Sequence, residues 1–424
     1  MSEVSAPDSR TLVIRWSRLY PRAGVLQDAG GGSSSFPPLA AHVLKAPYDE
    51  AAASGVWETF TAHPYWTRDF VGAGPYRLDR WEPGASIEGS AFDRHVLGKP
   101  KIDRVRVLFL GDANTTLANL LSGGIDMAAD DGVGFQQGIQ AKQSWAETKA
   151  GTMLVTTDLW RAAYVQFRPE VASPRALQDV NVRRAIAHSI DKQALNGVLY
   201  EGEGIMTETF VAPAVDYFTA IDRAVAKYPY DLRRTEQLLN RAGFLRGADG
   251  TYTGAEGRLG FELKVNASAQ YESERSIMAS ELRQAGFEIQ EATLPVSLAQ
   301  DGQARANYPS LYAYSTGLGD AAIPNFTPAA IPTPENRWIG NNRGGWSNAD
   351  YTSVVAAYNS TLDPTERIRH LTQLSQLIAD ELPAISLYYD LGAVPYVAAL
   401  HGPVPVAPET SGLIAWNVQE WEFR

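Results

Sequence analysis

The chain has 424 residues, 45% hydrophobic and 10% aromatic, which is enough apolar matter for two or more cored domains and too much for a disordered chain. Its 37 basic residues stand against 48 acidic ones, a formal net charge of −11 with no long block of either sign, which argues against a nucleic-acid or anionic-membrane surface. No apolar run approaches the ~20 residues of a membrane span, and the absence of cysteine excludes disulfides, thiolate zinc sites, iron–sulfur clusters and a lipid-modified cysteine anchor in this sequence.

Met1–Arg10 is polar, so no export signal is expected in it. Thr11–Trp16 alternates apolar and polar as a strand does, and the flexible run Gly30–Ser35 then leads into Phe36-Pro37-Pro38. From Val71 onward short strands alternate with capped helices, the pattern of an α/β protein. Asp112 or Asn114 caps a helix carrying Leu117, Leu120 and Leu121, stopped at Gly123-Gly124. Asp231 opens a second helix and Ser273 lies in a third, and each ends in Ala-Gly-Phe (Ala242-Gly243-Phe244, Ala285-Gly286-Phe287). A glycine just past the helix with an apolar residue behind it is the Schellman signature, because glycine takes the left-handed conformation without Cβ strain. Phe261, Leu263 and Val265 alternate as a strand before the third helix, and Phe287 with Ile289 resumes one after it, so a βαβ unit with a parallel strand pair is predicted. A strand over Leu311–Tyr314 runs out into Thr316–Pro324, a loop rich in Gly, Asp and Pro at the carboxyl end of a strand, where α/β sheets gather ligands. Asp363-Pro364 starts a helix that buries Ile368, Leu371, Leu374, Leu377 and Ile378.

Signals for chemistry are sparse. The six histidines (His42, His63, His95, His188, His370, His401) have no metal-ligand spacing, so no metal site and no cofactor is expected. There is no GxSxG elbow, no phosphate loop and no cysteine nucleophile. Gly132–Gly138 misses a dinucleotide fingerprint by one residue and follows no clear strand. The 10 Trp, 19 Tyr and 14 Phe offer flat walls that could cover a ligand; most are expected in cores, with Trp160, Trp338, Trp346 and Trp416 as candidates at a cleft.

Val71–Gly84 reads VGAGPYRLDRWEPG and closely resembles the V-G-T-G-P-Y-x-L-x-x-W-x-P-G signature of the family 5 extracellular solute-binding proteins, the dipeptide-, oligopeptide- and nickel-binding components of bacterial ABC transporters. Other segments resemble the family in order: Lys99–Val107, Leu120–Asp126 (LLSGGID), Asp179–Asp191 (DVNVRRAIAHSID), Tyr228–Asp231, Asn342–Tyr351 with Ala349 in place of a proline, and Trp416–Trp421. The resemblance implies a two-lobed α/β fold of the periplasmic-binding-protein type II, cluster C kind, hinged near Asp179–Val182 and Leu387–Val394. Residues 70–180 with 390–424 would form one lobe, 181–389 the other, and 1–69 the remnant of an accessory domain, the family's first strands being without counterpart. It further implies an extracytoplasmic monomer, not an enzyme, that captures a peptide or related small solute and delivers it to ABC permease subunits, with no nucleic-acid partner. Nickel chelates, opines and sugars are the family's other solutes. One ligand residue is implied: Asp320, four residues before Pro324, holds the place of the family's carboxylate for a peptide ammonium, although Ala321 stands where an aromatic residue often follows. The alternatives are a truncated, non-binding fragment of such a protein, or a hydrolase with an interdomain cleft.

Overall fold

The computed structural model describes residues 1–21, 23, 39–129, 132–405 and 413–424; Gly30–Ser35 and Phe36-Pro37-Pro38 lie outside them. In chain order the strands are β1 (Glu3–Ser5), β2 (Val13–Arg15), β3 (Tyr76–Glu82), β4 (Ser86–Ala91), β5 (Arg104–Leu108), β6 (Gly151–Val165), β7 (Leu245–Arg246), β8 (Tyr252–Gly254), β9 (Gly257–Arg258), β10 (Gly260–Asn266), β11 (Glu288–Leu294), β12 (Leu311–Thr316), β13 (Ala384–Val397), β14 (Leu400–His401) and β15 (Glu422–Phe423).

The chain divides into two compact units, Met1–Gly24 with Thr157–Leu391 and Val25–Thr156 with Gly392–Arg424. The division therefore falls inside β6 and β13, whereas the family resemblance places it at 180/181 and 389/390. The reason is that β6 is one continuous strand whose Trp160–Val165 half pairs with β12, so the residues that follow it go with that sheet. The segment expected as an accessory remnant is also split, since the β1–β2 hairpin groups with the first unit.

The first unit is organised by a five-stranded sheet of order β11-β10-β12-β6-β13. β10 runs parallel to both β11 and β12, with Phe261 opposite Ile289 and Leu263 opposite Leu311, whereas β6 is antiparallel to β12. Helix Ala269–Ala285 crosses from β10 to β11, which is the predicted βαβ unit. Leu263 and Val265 from β10 and Met278, Ala279 and Leu282 from the helix are all fully buried. At ~1.5–3 kcal/mol for each large apolar side chain, that packing rather than helix propensity holds the crossover in place.

Helix ends follow the sequence signals. Asp112, Asp179, Asp191, Asp231 and Asp363 each accept a backbone N–H in the first turn of their helices. After Ala285, Gly286 sits at φ 107°, its N–H donates to the Arg283 carbonyl and the Phe287 N–H to Leu282, the two bonds of a Schellman motif. The crossover helix begins earlier than Ser273: Ser268 accepts the Tyr271 N–H and is its cap.

The second unit carries an antiparallel sheet β3-β4-β5 and the paired strands β14 and β15. Helices Ala113–Leu121 and Phe135–Ser144 enclose a core of Leu117, Leu120, Ala128, Val133, Ala141 and Trp145. Among the described residues no helix is long and apolar enough to cross a membrane.

Candidate functional site

Three parallel strands of the first unit end together at Asn266, Leu294 and Thr316, the edge of an α/β sheet where loops and helix N-termini converge. Side chains alternate along β12, so this edge presents two polar assemblies, one on each face of the sheet.

On one face, Arg161 of β6 meets Glu274 of the crossover helix through hydrogen bonds of 2.9 and 2.8 Å, and neither side chain is exposed. Burial opposes the arginine's charge, yet the Glu274 carboxylate holds the guanidinium above its ordinary range. Tyr388 of β13 donates to the same carboxylate. Next to it Asp390 accepts from Tyr200 (3.0 Å), Gln270 (3.3 Å), Tyr271 (2.7 Å) and Ser315 (2.9 Å). Burial, reinforced by Asp390, pushes the Tyr271 hydroxyl up to about 12. Asp390 thus ties a helix N-terminus, the end of β12 and β13 into one network.

On the other face, Tyr312 and Tyr164 pack against Tyr314 of β12, and the Arg343 guanidinium lies 4.4 Å from the Tyr314 ring centre. Tyr164 and Tyr314 stack at 3.9 Å. The Tyr308 hydroxyl, also buried, has no hydrogen-bond partner among the described residues.

Of the predicted site residues in the first unit, Trp160 and Trp346 share Phe326 as a neighbour, whereas Asp320 and Trp338 have other partners. Asp320 lies in the short turn Gly319–Ala321 after β12, as expected, but its oxygens are engaged: Tyr358 donates to Oδ1 and Arg367 to Oδ2 at 3.3 Å. Trp160 is fully buried against Tyr164, Phe210 and Phe326 in the first unit's core, and Trp346 is buried against Phe326 and Tyr351. Both face inward because the apolar loop after β12 folds Phe326 back over the sheet. Trp338 is half-buried with Arg168 5.8 Å from its ring, and Trp416, exposed, belongs to the second unit and donates to the Val404 carbonyl at 3.2 Å. The residues that sequence reasoning misses are Arg161, Glu274, Asp390, Tyr308 and Arg343; nothing local distinguishes them, and the partners of Arg161, Glu274 and Asp390 lie up to 190 residues away.

A cleft of about 430 Å³ also opens in the first unit beside Lys192, Glu208, Asp222, Lys227 and Tyr228. Its cations are matched internally, Lys192 to Glu208 and Lys227 to Asp222, both at 2.5 Å. Among the described residues no group of His, Cys, Asp or Glu is gathered as metal ligands.

The mixed-sheet α/β fold is shared by solved structures. An oligopeptide-binding protein of Thermus thermophilus, complexed with a pentapeptide, superposes with a TM-score of 0.76 at 21% identity, covering 99% of this chain and 76% of that one. NikZ of Campylobacter jejuni, in complex with Ni(L-His), gives 0.74 at 20% identity, with 99% and 78% covered. The profile of the bacterial extracellular solute-binding proteins, family 5 Middle, matches residues 1–332, and the chain belongs to that family. Among curated relatives, the oligopeptide-binding protein AppA of Bacillus subtilis is 22% identical over 328 residues, and the heme-binding protein A of Haemophilus influenzae 23% over 359. The nickel-binding protein NikA of Staphylococcus aureus is 23% identical over 373 residues. The chain covers 75%, 84% and 84% of itself in these matches, and 56%, 60% and 66% of the relatives.

Proposed function

We propose that this protein is the solute-capturing component of a bacterial ABC importer, acting outside the cytoplasm as a monomer, without catalysis, and handing its solute to a membrane permease. The observation that carries this reading is the family match over residues 1–332. Peptides are the proposed solute class. Two of the relatives named above bind oligopeptides by name, and the polar sheet edge of the first unit offers hydroxyl, amide and guanidinium groups rather than a cluster of metal ligands. Asp320 is assigned the task of holding the loop after β12 through Arg367 and Tyr358.

The test is a tryptophan-fluorescence titration of the purified chain with a tripeptide library, with the nickel–histidine complex and with haem. Saturable quenching by peptides, with the peptides recovered intact, is expected. Saturation by the nickel complex or haem with no response to peptides would overturn the peptide assignment, and peptide cleavage would overturn the non-enzymatic one.

A further inference from the structure

The first unit treats its buried cations unequally. Arg161 has Glu274 at 2.8 Å, Arg183 has Glu381 at 3.8 Å and Lys192 has Glu208 at 2.5 Å. Arg168, without a carboxylate within 4 Å among the described residues, is instead satisfied by the oxygens of Gln166, Ala306 and Asn307. Arg343 is the exception. It is 5% exposed, and of its five N–H donors one is used, toward Asn341 Oδ1 at 3.2 Å. Its guanidinium lies 4.4 Å from the Tyr314 ring centre, and its charge acts on the hydroxyls of Tyr164, Tyr308 and Tyr312.

The charge around it makes the imbalance worse. Arg305, partly exposed, makes no side-chain hydrogen bond or ion pair with the described residues, and burial together with Arg343 holds its guanidinium below the ordinary range. Lys264 lies 5.3 Å from the Tyr312 ring centre and donates to the Ala304 carbonyl at 3.0 Å. A buried cation left without a counter-charge is strongly destabilising, and where the fold gives Arg161, Arg183 and Lys192 a carboxylate and Arg168 three oxygens, it gives Arg343 one, leaving its other donors for an anion from outside.

The backbone supports the same place. Arg337 and Trp338, consecutive non-glycine residues at φ 56° and 60°, precede Arg343, and Gly345 follows at φ 72°. Asn342 clamps the loop by donating to the carbonyls of Thr327 and Trp346 at 2.9 and 2.8 Å. Such strain persists where the surroundings fix a side chain's direction. Gly344 brings the loop against Tyr308, whose hydroxyl would lie 3.1 Å from a Cβ added there.

We propose that Arg343, Arg305 and the Tyr308 hydroxyl form an oxyanion site, which on the solute-binding reading above takes the carboxylate of the captured solute. A planar carboxylate can accept two parallel N–H donors from Arg343 and a third hydrogen bond from Tyr308, while Arg305 adds charge at the rim.

The test uses the full chain and four proteins: wild type, Arg343→Gln, Arg305→Gln, and Arg369→Gln as a control at an exposed arginine. Thermal midpoints are compared in sodium sulfate and in sodium chloride at equal ionic strength. Because sulfate stabilises proteins generally, the readout is the difference between variants. Wild type and Arg369→Gln are expected to gain at least about 2 °C more from sulfate than Arg343→Gln and Arg305→Gln do. Equal gains in all four overturn the site. If Arg343→Gln does not fold, the comparison of Arg305→Gln with Arg369→Gln decides alone. A tripeptide library with free carboxylates and the same library amidated are then titrated into each protein. A loss of about thirtyfold or more confined to the free-carboxylate library in Arg343→Gln identifies the solute as the source of the anion. A sulfate effect that depends on Arg343, with neither library binding, keeps the oxyanion site and removes the peptide reading. Equal binding of both libraries to wild type and Arg343→Gln, with no variant-dependent sulfate effect, removes the site and keeps the peptide reading.

Discussion

Arg161 and Glu274 face each other through two parallel hydrogen bonds, Nε to Oε2 and Nη2 to Oε1, with both side chains fully buried. The pair joins β6 to the helix that crosses between β10 and β11, and Tyr388 adds a third bond from β13. A buried pair of this kind contributes little over an apolar substitute, but breaking it strands a charge. Glu274→Gln is therefore expected to cost ~3–5 kcal/mol in urea unfolding, and Glu274→Gln with Arg161→Met together to cost less than the single change. A single-variant loss below about 1 kcal/mol would mean that the arginine finds another partner.

Asp320 gives a second structural test. Its carboxylate takes a bond from Tyr358 and one from Arg367, whose guanidinium lies 3.9 Å from the Tyr358 ring centre. Both charged side chains are 18% exposed, so solvent screens the pair less than at an open surface. Asp320→Asn is expected to lower stability by ~1–2 kcal/mol, and to leave binding of amine-acetylated and free tripeptides in the same ratio as in wild type. A changed ratio would return the residue to the role of ammonium ligand that its spacing to Pro324 suggests.

The framework was legible from local chemistry. The Ala-Gly-Phe ends at Gly243 and Gly286 are fixed by positive φ of 87° and 107°, a demand that glycine meets within its own dipeptide, and Asp caps act on N–H groups two or three residues away. The parallel pairing of β10 and β11 followed from the spacing of apolar residues about one helix. The polar edge was not legible, because Arg161, Glu274 and Asp390 are brought together across separations of 113 and more residues, and a carboxylate in a helix looks the same in sequence whether it faces solvent or a buried guanidinium. Trp160 shows the converse: an aromatic residue at the right place in the chain is turned inward by the strand's alternation and the Phe326 loop above it.

Glu281 supplies the pH dependence. Burial, opposed by the Asp191 N–H that donates to it at 3.0 Å and aided by the Asp191 charge, pushes it from an ordinary 4.5 up to about 7. The folded chain then holds a proton that the unfolded chain has released between these values, so this group's contribution is full below pH ~4.5 and falls as pH rises toward 7. Glu281→Gln should flatten the decline of stability over that window by up to ~1.4 kcal/mol per pH unit, less because the side chain is partly exposed. The comparison is of urea midpoints for both proteins from about pH 4.5 to about 8, spanning the ordinary and the raised value; parallel profiles would show that Glu281 titrates normally.

Two glycines should respond to alanine with opposite signs. Gly344 lies in the loop beside Arg343, its carbonyl accepts the Phe167 N–H at 2.6 Å, and a Cβ built on it would sit 2.2 Å from the Val165 carbonyl oxygen. That neighbour is backbone at the end of a sheet strand whose own N–H is bound to Pro383, so it cannot swing aside as a flexible side chain would. Gly344→Ala must displace either the loop or β6, at a cost of ~1–3 kcal/mol, and the displacement would carry Arg343 with it. Gly197, exposed in helix Lys192–Tyr200, has nothing within 4 Å of a methyl placed on its Cα and no positive φ, so alanine there removes only backbone freedom from the unfolded chain. Gly197→Ala should raise stability by ~0.5–1 kcal/mol. Urea unfolding of the two variants side by side checks both signs, and a neutral Gly344→Ala would place the Arg343 loop farther from β6 than the 2.2 Å approach requires.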